Sequence, residues 1–231
     1  MSDPLRIALV GATGLVGREV IKACIDCDTV RLVGIARRET ALPDGARMEM
    51  FVAQPDKWGE VMEAVQPDAL ICALGTTWKS AGKDKDAFRA VDQHLVLDTA
   101  RAALAAGVDR MVTVSSVNAD ANAKLFYPRV KGETEQQLSK AGFKRLDILQ
   151  PGLLMGGRQN DPRLGEGVAK VISPVTDLLL HGGMRKFRSI AGKTVAEGAL
   201  ALASRKAAGR FTHDNDMIRR AAREWGKRQD R

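Results

Sequence analysis

Apolar and polar positions along this chain follow two rhythms. Short apolar runs stand at 6–10 (RIALV), 31–36 (RLVGIA), 48–52 (MEMFV), 69–74 (ALICAL), 110–116 (RMVTVSS) and 146–151 (LDILQP). Several are β-branched or nearly continuous in apolar residues, as strands covered on both faces are. Between them lie LVGREVIKACID, KWGEVMEAV and DAFRAVDQHLVLDTARAALAAG. In the last, Phe88, Val91, Leu95, Val96, Ala102, Ala103 and Ala106 fall near helical spacing, and Gly107 marks a stop. This alternation predicts an α/β fold, a doubly wound parallel sheet with helices on both faces. Only about ten residues, RETALPDGAR, separate the second and third runs. A parallel crossover needs a dozen or more, so the helix there is expected to be truncated or missing.

After Gly152 the pattern weakens. GEGVAKVISPVTDLLLHGG predicts a helix interrupted at Pro174, and FRSIAGKTVAEGALALASRKAAG a short strand followed by a helix. DNDMIRRAAREWGKR predicts a last helix capped by Asp214 or Asn215. The whole reads as one domain over residues 1–231, with a core over about 1–152 and a small substrate cap over about 153–231.

Composition narrows the function. A chain of 231 residues buries enough surface to need no disulfide or metal staple. Three cysteines, an odd number, fit a reducing compartment. Cys24 and Cys27 form a CxxC at the end of a helix, whereas redox CxxC pairs start one, so a structural role is expected. His94, His181 and His213 are far apart, and no metal site is expected. The N-terminus shows no secretory signal, and no apolar run approaches the ~20 residues that span a bilayer. A cytoplasmic protein is therefore expected, without a membrane partner. Net charge is +8, and residues 205–231 hold nine Lys/Arg against four Asp/Glu. No nucleic-acid motif or aromatic interleaving accompanies that excess, so it reads as a solvated helix face, and no nucleic-acid partner is expected.

Four stretches carry chemistry. GATGLVG places Gly11, Thr13, Gly14, Leu15 and Gly17 between a strand and a helix, as a Rossmann-type fold requires at a pyrophosphate. The spacing is GxxGxxG rather than GxGxxG. In GIARRE, Arg37 lies 20 residues past Gly17, where an acidic residue would hold a ribose 2′-hydroxyl. Arg37 and Arg38 suit a 2′-phosphate instead, which points to NADP(H). CALGTT, with Ala73, Leu74 and Gly75, closes the fourth strand at its carboxyl end, where open α/β sheets bind ligands. Ser115 and Ser116 end the fifth strand, and Tyr127 and Lys131 follow four residues apart in FYPRVKGE. Tyrosine, with a reference pKa near 10, is a usable acid at neutral pH, and a nearby ammonium stabilises its phenolate. Pro128 fits a first helical turn and pushes the residue before it away from α geometry, so Tyr127 is expected at the helix mouth.

With these residues in place, the chain resembles the short-chain dehydrogenase/reductase superfamily. Within it, the chain is similar to the atypical branch of Tat-interacting-protein-like oxidoreductases. GATGLVG, ARR, ALGTT, VSSVNADANAKLFYPRVKGETE, QPG and GRQNDPRLGE carry the resemblance, in order from residue 11 to 166. It implies an NADP(H)-binding domain with a Ser–Tyr–Lys set. Ser116 would polarise the carbonyl, with Ser115 the alternative, and Tyr127 would donate the proton. Lys131 would hold the nicotinamide ribose and lower the tyrosine pKa. Pro151 and Gly152 would lie by the nicotinamide, and Arg158 to Glu166 would border the substrate pocket. Three departures stand out. Many family members carry a proton-relaying asparagine on the long central helix, where the nearest match here is Asp92. FVAQPD offers no clear match to the acidic residue near the adenine. The short cap argues against a large nucleotide-sugar substrate.

The leading expectation is an NADP(H)-dependent oxidoreductase of a small carbonyl or alcohol, monomeric or a homodimer. The alternatives are an NADP(H)-binding redox-sensing regulator and an epimerase or dehydratase.

Overall fold

The structure, a computed structural model, describes residues 3–156 and 181–229. Its central sheet has seven strands in the order β3-β2-β1-β4-β5-β6-β9, all parallel. These strands are β1 Leu5–Val10, β2 Val30–Ala36, β3 Glu49–Val52, β4 Ala69–Cys72, β5 Arg110–Val114, β6 Arg145–Leu149 and β9 Gly209–His213. The six apolar runs account for the first six. β4 and β6 are buried along their whole length; β4 is apolar throughout, whereas β6 buries Arg145 and Asp147 as an ion pair.

Helices cover both faces. On one side α1 (Leu15–Lys22) packs with α6 (Gly192–Ala203) and α7 (Asn215–Gln229) in one apolar core. On the other, α2 (Trp58–Val65), α4 (Val96–Ala105) and α5 (Phe126–Lys140) share a second. No helix spans the β2–β3 link, as the short RETALPDGAR connection requires. The order turns back between β1 and β4, so the loops after β1 and β4 flank a crevice at the carboxyl ends of the strands.

Two features depart from the sequence reading. The expected long central helix is present as one continuous run, but a π-helical turn at Ala90–Leu95 separates α3 (Lys85–Arg89) from α4. A π turn adds one residue per turn locally, a slip that apolar spacing does not reveal, and such turns concentrate at functional sites. The C-terminal stretch also returns to the sheet: β9 pairs along β6 from Arg145–Gly209 to Leu149–His213. Two short strands, β7 Leu154–Met155 and β8 Ile190–Ala191, form a separate parallel pair beside the crevice. Asp214 caps α7, its Oδ1 accepting from the Met217 amide at 2.9 Å. The expected helix broken at Pro174 lies outside the described residues.

Candidate active site

The glycine loop follows β1 directly. Gly11 has φ +91°, and a Cβ there would meet the Ala73 carbonyl at 2.5 Å. A Cβ on Gly17 would meet the Gly11 carbonyl oxygen at 2.2 Å. These two glycines let β1, α1 and the β4 loop close on one another. Gly14 differs: a Cβ there would have ordinary clearance, 3.4 Å from the nearest atom. It is the N-cap of α1 and offers no side-chain cap. The first-turn amides of α1 therefore lack an internal acceptor at the crevice, a donor set suited to a pyrophosphate. Thr13 is exposed at the loop tip and Leu15 half-buried at the start of α1.

Arg37 and Arg38 follow β2, whose end lies beside the end of β1 through the Val10–Ile35 pairing. Both are exposed, and neither pairs with a carboxylate among the described residues. Ala73 continues the β1–β4 ladder through its amide to the Val10 carbonyl at 2.8 Å, and Leu74 and Gly75 extend from it.

Around the residues expected to carry carbonyl chemistry, the structure brings together more than the sequence announced. Tyr127 is in the first turn of α5, its ring against Phe88 at 5.3 Å between centroids. Lys131, one turn on, is buried and meets Asp92 Oδ1 at 2.6 Å. Asp92, the departure noted at the expected asparagine, comes from the π turn and is itself 0 % exposed in its side chain. Its Oδ2 accepts from the Thr76 amide at 2.8 Å, so it also fixes the loop after β4. No well-angled hydrogen bond reaches Asp92 Oδ1, although the ammonium is in contact. Burial opposes the Lys131 charge most strongly, but Asp92, Tyr127 and Cys72 together outweigh it. Lys131 is held above the ordinary lysine range.

The two serines separate in role. Ser115 donates to the Glu135 carboxylate on α5, which also accepts from Gln150 Nε2 at 2.8 Å. Ser116 makes only a 3.4 Å contact with the Val117 carbonyl, leaving its hydroxyl available at the crevice. Pro151 and Gly152 follow β6. A Cβ on Gly152 would meet the Arg188 carbonyl oxygen at 2.3 Å. Asn215 clamps this point, accepting from the Gly152 amide at 2.9 Å and donating to the Arg188 carbonyl at 2.5 Å. Gly132 lets α5 touch the loop before it, since a Cβ would meet the Ala121 amide nitrogen at 2.2 Å. Gly132, Glu135 and Gln150 lie within the stretches VSSVNADANAKLFYPRVKGETE and QPG but were given no role from sequence, and Asn215 was named only as a possible helix cap. Arg158 to Glu166 lie outside the described residues.

Cys24 and Cys27 lie past the end of α1, and burial, with Cys27 adding, pushes the Cys24 thiol up to about 12. A wide cleft of about 1020 Å³ opens there, lined by Ile21, Cys24, Cys27 and Met48 among others. It lies at the amino ends of the strands, where the crossover helix is missing, and away from the crevice.

Comparison with known proteins agrees with this geometry. The model of a family described as NAD(P)H-binding matches residues 11–171. A protein named fmp52, mitochondrial, from Aspergillus niger is 33% identical over 186 residues, covering 78% of each chain. FMP52, mitochondrial, from Candida albicans is 33% identical over 171 residues, covering 71% of this chain and 73% of its own. Among solved structures, a putative NAD-dependent epimerase/dehydratase from Bacillus halodurans superposes with TM-score 0.64 at 19% identity, covering 95% and 99% of the two chains. The oxidoreductase ylbE from Lactococcus lactis gives 0.65 at 20%, covering 96% and 97%. At such identities the structural likeness shows the fold alone. The relatives are FMP52 proteins, not specifically Tat-interacting proteins. Their mitochondrial names also overturn the cytoplasmic expectation, which had rested only on an absent secretory signal and an absent membrane span. A family match over 11–171, on a fold that builds a phosphate-ready glycine turn at the head of a parallel sheet, makes this chain a member of the NAD(P)H-binding family.

Proposed function

We propose that the protein is an NADP(H)-dependent oxidoreductase of short-chain dehydrogenase type, acting on a small carbonyl or alcohol. One observation carries the reading: Lys131, buried and charged against Asp92, lies one helical turn from Tyr127, at the crevice shared with the glycine loop. A cation held there serves a phenol that gives up its proton, in addition to the nicotinamide ribose contact that a purely cofactor-binding module would also use. When bound, the nicotinamide supplies or accepts the hydride.

The chain's own residues do the rest. The α1 amides and the glycine turn hold the pyrophosphate, and Arg37 with Arg38 holds a 2′-phosphate. Ser116 donates to the substrate oxygen, Tyr127 transfers the proton, and Lys131 stabilises the charge left on it. Pro151, Gly152 and Asn215 wall the nicotinamide end. Substrate and cofactor partners are thus small molecules.

The test is Tyr127→Phe, with NADPH binding followed by fluorescence and turnover by loss of NADPH absorbance on a panel of small aldehydes and ketones. Turnover should fall by about 100-fold or more, the low end for a positioned acid, with NADPH affinity nearly unchanged. Full turnover in the variant removes Tyr127 as the acid. Turnover of a hydroxylated substrate without net NADPH consumption would favour the epimerase reading.

A further inference from the structure

Aromatic residues make up only 4% of the chain, yet four of them meet at the candidate site. Phe88 joins the others: its ring centre is 5.3 Å from Tyr127, 5.7 Å from Phe126 and 6.3 Å from Trp78. Trp78 and Phe126 close the group at 5.4 Å. The rings are tilted or edge-to-face, the arrangements that aromatic pairs favour. None of the four belongs to either apolar core of the fold, so packing of the sheet does not account for them. Phe88 is fully buried and holds the group together, whereas Trp78 and Phe126 are half-buried.

The loop after β4 brings Trp78 to this point. At Gly75 it passes over the Lys131–Asp92 pair, where an added Cβ would be 3.5 Å from Asp92 Oδ1 and 3.8 Å from Lys131 Nζ. Three residues on, Trp78 sits in a tied turn. The Ser80 amide donates to Thr77 Oγ1 at 3.0 Å, and the Lys83 amide donates to the Trp78 carbonyl at 3.0 Å. The indole is thus placed before a ligand arrives, which lowers the ordering cost of binding. Phe126 is the more enclosed ring, since Lys85 Nζ and the Arg89 guanidinium also stand 5.8 and 5.6 Å from its centre. Among the described residues, the ring contacts of Trp78 are with Phe88 and Phe126 alone, so it is the outer ring of the group. Leu125, the N-cap of α5, is largely exposed and adds apolar surface at the same rim.

We propose that Trp78 determines substrate specificity by stacking on a flat, conjugated substituent, so that the preferred substrate is an aryl or otherwise conjugated carbonyl rather than a saturated one. The inference rests on the carbonyl reading of the site, with the substrate oxygen at Ser116 and Tyr127. The Phe88 ring touches both Tyr127 and Trp78, so a planar group extending from that oxygen reaches the indole.

Trp78 also reports its own occupancy. Trp58 and Trp225 are 2% and 3% exposed and lie in the two cores, so a ligand in the crevice reaches Trp78 alone of the three tryptophans. With the oxidised cofactor bound, where no hydride is available, 2-acetonaphthone should quench tryptophan emission saturably. Trp78→Phe should remove the larger part of that quenching. With the reduced cofactor, Trp78→Leu should lower kcat/KM for 2-acetonaphthone relative to 2-acetyldecalin by about 3- to 10-fold, the factor a stacked ring pair contributes. Trp78→Phe should restore most of the ratio. If Trp78 only props Tyr127 through Phe88, both ketones lose equally, and that result overturns the proposal. So does absent quenching up to the solubility limit of 2-acetonaphthone, or quenching that Trp78→Phe leaves intact. Full turnover in Tyr127→Phe would instead refute the acid assignment, while the quenching still measures the stack.

Discussion

The buried Lys131–Asp92 pair makes a quantitative prediction. Its side chains are 7% and 0% exposed, so solvent screens it little. Breaking a buried pair by neutralising one partner costs about 3–5 kcal/mol, because the other charge is left uncompensated. At roughly 2–4 °C per kcal/mol for a chain of this size, Asp92→Asn and Lys131→Met should each lower Tm by about 6–20 °C. The double variant leaves no orphan charge and should recover much of the loss. Urea unfolding of the four proteins at pH 7, at one protein concentration, gives the coupling, expected at about 3 kcal/mol in magnitude. The pH dependence adds a sign. The Lys131 pKa is raised on folding, so its contribution is fully present below the unfolded lysine value and is lost as pH rises through the folded one. In Asp92→Asn burial acts without the counter-charge, the folded pKa falls below the unfolded one, and stability should instead rise with pH through that window. Additive single effects, with coupling under about 0.5 kcal/mol, together with an unchanged alkaline slope, would refute the pair.

Further outcomes follow from close contacts. Gly17→Ala should abolish folding or cofactor binding, since its Cβ would be 2.2 Å from the Gly11 carbonyl oxygen. Gly14→Ala, with 3.4 Å of clearance, should fold normally and lose only NADPH affinity, read by circular dichroism and titration. Asp147, nearly inaccessible, takes Arg145 at 2.6 and 2.8 Å and His213 Nε2 at 2.8 Å. Asp147→Asn should therefore cost about 3–5 kcal/mol and loosen β9 from β6 in amide hydrogen exchange. Replacing Arg37 by Ala should weaken NADPH by about 10-fold or more and leave NADH unchanged, as loss of a charge-assisted contact of at least ~1.5 kcal/mol implies. Equal affinity for both cofactors in the unmutated protein would sink the 2′-phosphate argument.

The fold was legible where burial is symmetric. β1, β2, β4, β5 and β6 are covered on both faces, so each wrote an apolar run into the chain. β9 did not, because GRFTH is an edge strand whose Arg210 and Phe211 are only partly covered. Phe211 instead carries the Arg145 guanidinium 4.5 Å above its ring, a contact set by long-range pairing. The glycine turn was legible because its spacing within GATGLVG is local, with Gly17 needing a missing Cβ against Gly11 of the same turn, although the contact of Gly11 with Ala73 is long-range. Asn215 was not, because it meets Gly152, 63 positions away, only after the chain has folded back. Glu135 stands in the polar stretch KGETEQQ, and only the docking of α5 brings it against Ser115 and Gln150 at the ends of β5 and β6.

Asp92 is the informative case, since the sequence marked it only as a departure. A neutral asparagine could hold the loop after β4 as well as an aspartate, but it would leave the Lys131 ammonium buried without a counter-charge. Here one carboxylate does both tasks, with Oδ2 on the Thr76 amide and Oδ1 on Lys131. Loop position and lysine charge are therefore tied to one side chain. A variant that loses only the charge separates them. Asp92→Asn keeps an acceptor for the Thr76 amide, so Gly75 and the nicotinamide end of the crevice stay in place. Cofactor affinity should survive that change while the proton step fails. Asp92→Ala removes the acceptor too, and should lose both.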